Sequence, residues 1–182
     1  MINIYKLKLT LLQQEVLRLL YKRVGKTFNA RNIAKALEVS QPAISKALPL
    51  LEKEGLILVT KDKESKRLAI ELKRENPLII GLKRVDNLKQ IYESGLWQFL
   101  YDGFPGSTVI LFGSYSQGED IITSDIDIAI IGSKQKNINM QNYEKKLERT
   151  ININYYSSFE EIHKNLRNNI LGGILLKGAI QL

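Results

Sequence analysis

A glycine-serine pair closing one apolar run, and two alternating aspartates opening the next, restrict this chain more than any other feature. The stretch is Leu111 to Ile131, LFGSYSQGEDIITSDIDIAII. Val109-Ile110-Leu111-Phe112 is an apolar run of the kind that fills a buried strand. Gly113-Ser114 ends it, and glycine lets the backbone turn and approach a ligand closely. Ten residues, read as a short helical loop, separate Ser114 from Asp125. Asp125-Ile126-Asp127-Ile128-Ala129-Ile130-Ile131 then reads as a second strand. Side chains alternate along a strand, so Asp125 and Asp127 share one face and Ile126 and Ile128 the other. Two carboxylates side by side repel, and neither is buried in ionised form without a counter-charge. A divalent hard cation such as Mg²⁺ supplies that charge, held by one or two carboxylates plus substrate phosphates. The glycine-serine turn offers backbone N–H groups and a hydroxyl to phosphate oxygens. Together these parts describe a nucleoside-triphosphate site for metal-assisted nucleotidyl transfer.

Gly113-Ser114, ten residues and Asp125-x-Asp127 resemble the signature of minimal nucleotidyltransferases in the DNA polymerase β superfamily. Gly118 and Ser124-Asp125 also sit where that family places them. The resemblance covers residues 85–182. It implies that Asp125 and Asp127 are the catalytic acids and hold the Mg²⁺. It implies that Gly113, Ser114 and Ser124 bind the nucleotide, ATP or another NTP. The family carries a third carboxylate on the following strand, as metal ligand or base. Here that strand is Thr150 to Tyr156, TININYY, and its inward positions are either Asn152 and Asn154 or Ile151 and Ile153. None is acidic, and asparagine ligates through its amide oxygen but is a poor base. Either two aspartates suffice, or the activity is weak or lost. Glu148 substitutes only if the strand begins earlier.

Charge divides the chain. Residues 1–75 hold 16 Lys and Arg against 8 Asp and Glu, whereas residues 76–182 hold 11 of each. The whole net charge of +8 therefore lies in the first part, which suits a nucleic-acid-facing module joined to a neutral one. The 182 residues suit one large or two small domains. The absence of cysteine excludes disulfides, a thiol nucleophile and a Cys-type zinc site. No apolar run approaches the about 20 residues of a membrane span. The N-terminus, MINIYKLKLT, lacks a signal-peptide core. A soluble, cytoplasmic protein without membrane partners is expected.

Within residues 1–75 the periodicity predicts three helices. Leu9 to Tyr21 carries a stripe at Leu12, Val16, Leu19 and Leu20, with Thr10 as N-cap. Asn29 caps a second helix, Ala30 to Leu37. Ser40 caps a third, with Pro42 in its first turn and Gly55 at its C′ position. Pro49 is expected to kink this helix after Ala47. LILVT, a charged turn and RLAIEL then read as a β-hairpin. The string SQPAISKALPLLEKEGLI resembles the recognition helix and wing entry of winged helix-turn-helix regulators. That resemblance implies double-stranded DNA as partner. Gln41, Ser45 and Lys46 lie off the apolar stripe and are the candidates for DNA contact. Gln suits an adenine edge, and Lys46 a guanine or a phosphate. Lys61, Lys63, Lys66 and Arg67 at the wing tip suit backbone phosphates.

The expected fold class is α+β: a winged helix-turn-helix over 1–75, a linker over 76–84, and a small mixed-sheet nucleotidyltransferase domain over 85–182. Further helices are expected over 86–101, 140–149 and 159–168, with a final helix and strand beyond 170. Trp97 is read as packing, His163 as surface. Tyr115 either stacks on a nucleobase or covers the strand end.

Two functions follow as expectations. In one, the acceptor hydroxyl of a protein or small molecule attacks the α-phosphate and releases pyrophosphate. The resemblance implies a HEPN-domain RNase toxin as a partner neutralised by added AMP, which makes this chain an antitoxin. In the other, the chain is a transcriptional regulator, a homodimer on a two-fold operator, whose second domain binds a nucleotide or partner without turnover.

Overall fold

The computed structural model describes residues 8–61 and 68–180. The chain divides into two units, Met1–Ile79 and Ile80–Leu182.

In the first unit, local capping fixes where each helix starts. Helix α1 (Leu11–Lys22) opens on a capping box. The Thr10 hydroxyl accepts from the Gln13 N–H at 3.3 Å, and the Gln13 side chain accepts from the Thr10 N–H at 2.9 Å. The same Gln13 amide donates to the Ala47 carbonyl at 3.1 Å, tying α1 to the third helix. Asn29 caps α2 (Ala30–Ala36), accepting from the Asn32 N–H at 2.8 Å. Ser40 caps α3 (Gln41–Lys53). Val16, Leu17, Leu20, Ile33, Ile44, Leu48 and Leu51 meet in the core between these helices. Pro49, where a kink is expected, does not end the helix. Pro49 is exposed, and α3 runs unbroken to Lys53. Strands β1 (Ile57–Lys61) and β2 (Leu68–Leu72) pair antiparallel, Ile57 opposite Leu72, and Phe28 bridges to Ile70. Helices followed by this hairpin form the expected winged helix. Lys63, Lys66 and Arg67 lie outside the described residues.

The boundary between the two units falls within the linker expected over 76–84, and residues 77–84 of that segment are helical, the first part of α4 (Pro77–Glu93). Pro77 takes the first helical position, where its missing N–H costs nothing. The helix expected over 86–101 is two helices, α4 and α5 (Leu96–Gly103), parted at Gly95 with φ of 83°. The chain continues through β3 (Thr108–Phe112), α6 (Gly113–Gln117), β4 (Ile126–Ile131), α7 (Gln141–Leu147) and β5 (Ile151–Tyr156). It ends with α8 (Lys164–Leu171) and β6 (Ile174–Lys177). The helix expected at 159–168 therefore starts later. Phe159 and Ile162 are buried in a turn ahead of it.

The sheet runs β5-β4-β3-β6, with β3 antiparallel to β4 and β6, and β4 parallel to β5. One face carries Val109, Leu111, Ile126, Ile128 and Ile130 against Ile91, Leu96, Leu100 and Leu147. The other carries Ile110, Phe112, Ala129 and Ile131 against Phe159, Ile162 and Ile170. Alternation along β4 puts Asp127 on this second face. The whole is α+β, as expected.

Candidate functional sites

Asp125 immediately precedes β4 and is exposed, while Asp127 lies on the strand and is half-buried. Their carboxylates converge on one atom. Asn152 stands opposite Asp127 in the parallel β4–β5 ladder. Its Nδ2 donates to Asp125 Oδ2 and to Asp127 Oδ1, each at 3.2 Å. The register thus settles the two sets of inward positions: Asn152, not Ile151 or Ile153, joins the acids. Glu148 does not enter the strand. It caps α7 at φ of 56°, and β5 begins at Ile151.

Gly113 closes the site from the other side. Its φ is 74°, and a Cβ there would lie 2.7 Å from Asp127 Oδ2. Only glycine meets both demands. Ser114 follows it, exposed, in the first turn of α6. Ser124 is turned to its own loop, its hydroxyl accepting from the Ile121 N–H at 3.0 Å. That contact shapes the approach to Asp125. Tyr115 is buried, its hydroxyl donating to the Asn87 carbonyl at 3.4 Å, so it covers the strand end. Trp97 packs between Tyr92 and Tyr101, and its indole N–H donates to the Leu176 carbonyl at 3.0 Å. His163 is exposed ahead of α8.

The donor set can be tested against Mg²⁺. Among the described residues no group of three or more His, Cys, Asp or Glu forms a metal cage. Two converging carboxylates are hard oxygen donors, and Mg²⁺ is commonly held by one or two of these plus substrate phosphates. The residues therefore fit a cation shared with a triphosphate. Burial pushes the phenols of Tyr155 and Tyr156 above their ordinary range, so both remain protonated donors near neutrality.

A buried carboxylate in the loop that leads to Asp125 was missed from sequence. Asp120 is 1% exposed. Lys83 Nζ forms an ion pair with its Oδ1 and donates to its backbone carbonyl at 2.9 Å. Asn87 Nδ2 donates to the same Oδ1 at 2.7 Å and to the Tyr115 carbonyl at 2.9 Å. Arg149 Nη2 stands 3.6 Å from Asp120 Oδ2. The network fastens α4 and Arg149, two residues before β5, to the loop that leads into Asp125.

On the winged helix, Gln41, Ser45 and Lys46 are all exposed along α3, and Lys61 is exposed at the end of β1. Arg31, Asn32 and Lys35 of α2 line one cleft with Gln41, Ser45 and Leu68. Sequence reasoning passed over these α2 residues. Their signal was a basic pair four apart on the polar side of the helix.

Residues 106–179 match the family model for polymerase beta nucleotidyltransferases, and residues 9–68 that of the MarR family. No curated protein matches. Among solved structures, the adhesin competence repressor AdcR of Streptococcus pyogenes is 26% identical, over 57% of this chain and 72% of that one, with a TM-score of 0.43. ZitR of Lactococcus lactis is 21% identical over 57% and 68%, with a TM-score of 0.42. The S. aureus MepR–DNA complex is 26% identical over 52% and 80%, with a TM-score of 0.38. Such low TM-scores leave the assignment to the two family models. The chain joins, in N-to-C order, a winged helix matching the MarR family to a small mixed-sheet domain matching the polymerase beta nucleotidyltransferases.

Proposed function

We propose that this chain is a DNA-binding regulator whose second domain transfers AMP from ATP, with Mg²⁺, to a protein or small-molecule hydroxyl. The observation that carries the reading is the convergence of Asp125 and Asp127 beside the Cβ-free face of Gly113. When bound, Mg²⁺ supplies charge neutralisation for the triphosphate and polarises the α-phosphorus. Asp125 and Asp127 hold the metal-bound nucleotide. The Gly113 backbone and the Ser114 hydroxyl receive its outer phosphates. The acceptor oxygen bonds to the α-phosphorus, the bond to the bridging oxygen breaks, and pyrophosphate leaves with the electron pair. Asn152 cannot take the hydroxyl proton, so that proton passes to water.

An asparagine beside the acids favours a second reading, in which the domain binds nucleotide without turnover and only the winged helix acts. One assay separates them. The protein is incubated with labelled ATP, Mg²⁺ and the protein encoded beside it; a HEPN-domain RNase is the acceptor to test first. Label transfer abolished by Asp125→Ala or Asp127→Ala supports the transferase. ATP binding without transfer supports the regulator alone. Loss of neither binding nor transfer in both variants refutes the site.

For the winged helix, we place α3 in the major groove of a two-fold operator bound by a homodimer. Gln41, Ser45 and Lys46 face the bases, and Arg31, Lys35 and Lys61 the phosphates. Operator affinity is expected to fall steeply with added salt, with a smaller slope in Arg31→Ala and Lys35→Ala. A salt-independent affinity would remove phosphate contact from the account.

A further inference from the structure

We propose that Asn152 is a neutral clamp that makes cation capture depend on the triphosphate. The inference rests on the nucleotide site described above and adds its order of binding. Ionised carboxylates only accept hydrogen bonds, so the amide must turn its nitrogen, not its oxygen, toward Asp125 and Asp127. That nitrogen sits 3.2 Å from an oxygen of each acid. Its two hydrogens present the positive end of the amide dipole to the ground between the carboxylates. A cation seated there meets those hydrogens and must displace the side chain.

The amide is free to leave this position. The ladder fixes Asn152 opposite Asp127, and its side chain is exposed, with room to swing. The two acids carry a charge of −2 and an amide adds none. Divalent affinity is tuned by the count of charged ligands. A bare protein of this kind holds a divalent cation weakly. A triphosphate brings its own charge and its own oxygens, and the gain from both is enough to displace the clamp. Cation and nucleotide then promote each other's binding by the same factor, as linkage requires.

The probe is Mn²⁺, with free ion read from its paramagnetic resonance, in the full chain, with and without a non-hydrolysable ATP analogue. In the wild type the analogue is expected to tighten Mn²⁺ binding at least about tenfold, a typical size for a coupling between two sites. Asn152→Asp, of the same shape and one charge more, is expected to bind Mn²⁺ alone at least about tenfold more tightly than the wild type. Asn152→Ala is expected to bind Mn²⁺ alone more tightly than the wild type and to gain less from the analogue, because it loses a competing donor and not a ligand. The clamp is overturned if Asn152→Asp matches the wild type, or if Asn152→Ala binds Mn²⁺ alone no more tightly than the wild type. Asp127→Asn keeps the two claims apart. If it retains analogue-dependent Mn²⁺ binding, the nucleotide site itself is wrong; if it loses it while Asn152→Asp shows no gain, the clamp alone falls.

Discussion

Asp120 and Asp125 lie five residues apart in one loop and have opposite surroundings. Asp120 is 1% exposed and faces Lys83, Asn87 and Arg149. Asp125 is exposed, Asp127 half-buried, and the structure sets an amide against them. A carboxylate taken out of water needs a counter-charge from within the fold, because desolvation otherwise outweighs what burial gains. The acids of the site keep contact with water and stay short of positive charge, which leaves them attractive to a cation from outside. Asp120 meets its counter-charges inside the fold, whereas among the described residues no ion pair to Asp125 or Asp127 stands beside Gly113.

The largest effect is expected where the carboxylate is most enclosed. Asp120→Ala removes the anion that two buried cations face, a loss of about 3–5 kcal/mol for a broken buried pair. A urea titration measures it. A loss below about 1 kcal/mol, the range of exposed pairs, would show that the network carries little and would erase the contrast.

The glycines that open and cap α6 sharpen the comparison at the next level. A Cβ on Gly118, φ 78°, would lie 2.4 Å from the Ile80 carbonyl, which is helix backbone and cannot yield cheaply. Gly118→Ala is expected to cost about 1–3 kcal/mol from backbone strain alone, seen as a lowered Tm. A Cβ on Gly113 would meet only the tip of the Asp127 side chain. Gly113→Ala is expected to cost about 1–2 kcal/mol, the price of a side chain in the left-handed region. Its stronger signature is weakened Mn²⁺–nucleotide binding, because the carboxylate is pushed aside. A Gly113→Ala protein with undiminished nucleotide binding would separate that glycine from the acids.

Sequence legibility followed the range of the interactions. The winged helix was readable because Thr10, Asn29 and Ser40 cap within three residues of themselves, and Gly55 ends α3 locally. The acids and their glycine were readable for the same reason, as neighbours on two apolar strands. The first part of helix α4 was not: residues 77–84 read as linker, while 86–93 read as helix. The buried face of α4 runs Ile79, Lys83, Asn87, Gln90 and Ile91, spaced as a helix face but polar in its middle, so apolar periodicity is interrupted across residues 77–84. Lys83 and Asn87 meet their partner Asp120 more than thirty positions away in the chain. The inward face of β5 was undecidable for a related reason: a one-residue slip exchanges every side chain, and only the partner strand fixes the register. Pro49 sits exposed inside α3, which continues past it to Lys53 with Ile44, Leu48 and Leu51 buried.

The smallest stability change is expected at Asp127, and it is the sharpest test of the contrast. Asp127→Asn removes one of two like charges held near a common donor, which relieves repulsion. It also weakens the charge-assisted hydrogen bond from Asn152, a bond already discounted by the exposure of that side chain. The two changes oppose each other, so the net shift should stay within about 0.5 kcal/mol, as for other partly exposed substitutions. The urea midpoint should match the wild type while Mn²⁺–nucleotide affinity drops. A loss above about 2 kcal/mol, the scale of a buried polar group left without its partner, would place Asp127 with Asp120 as a structural acid. The pair would then hold the strand in place, and the chain would retain no charge set aside for a ligand.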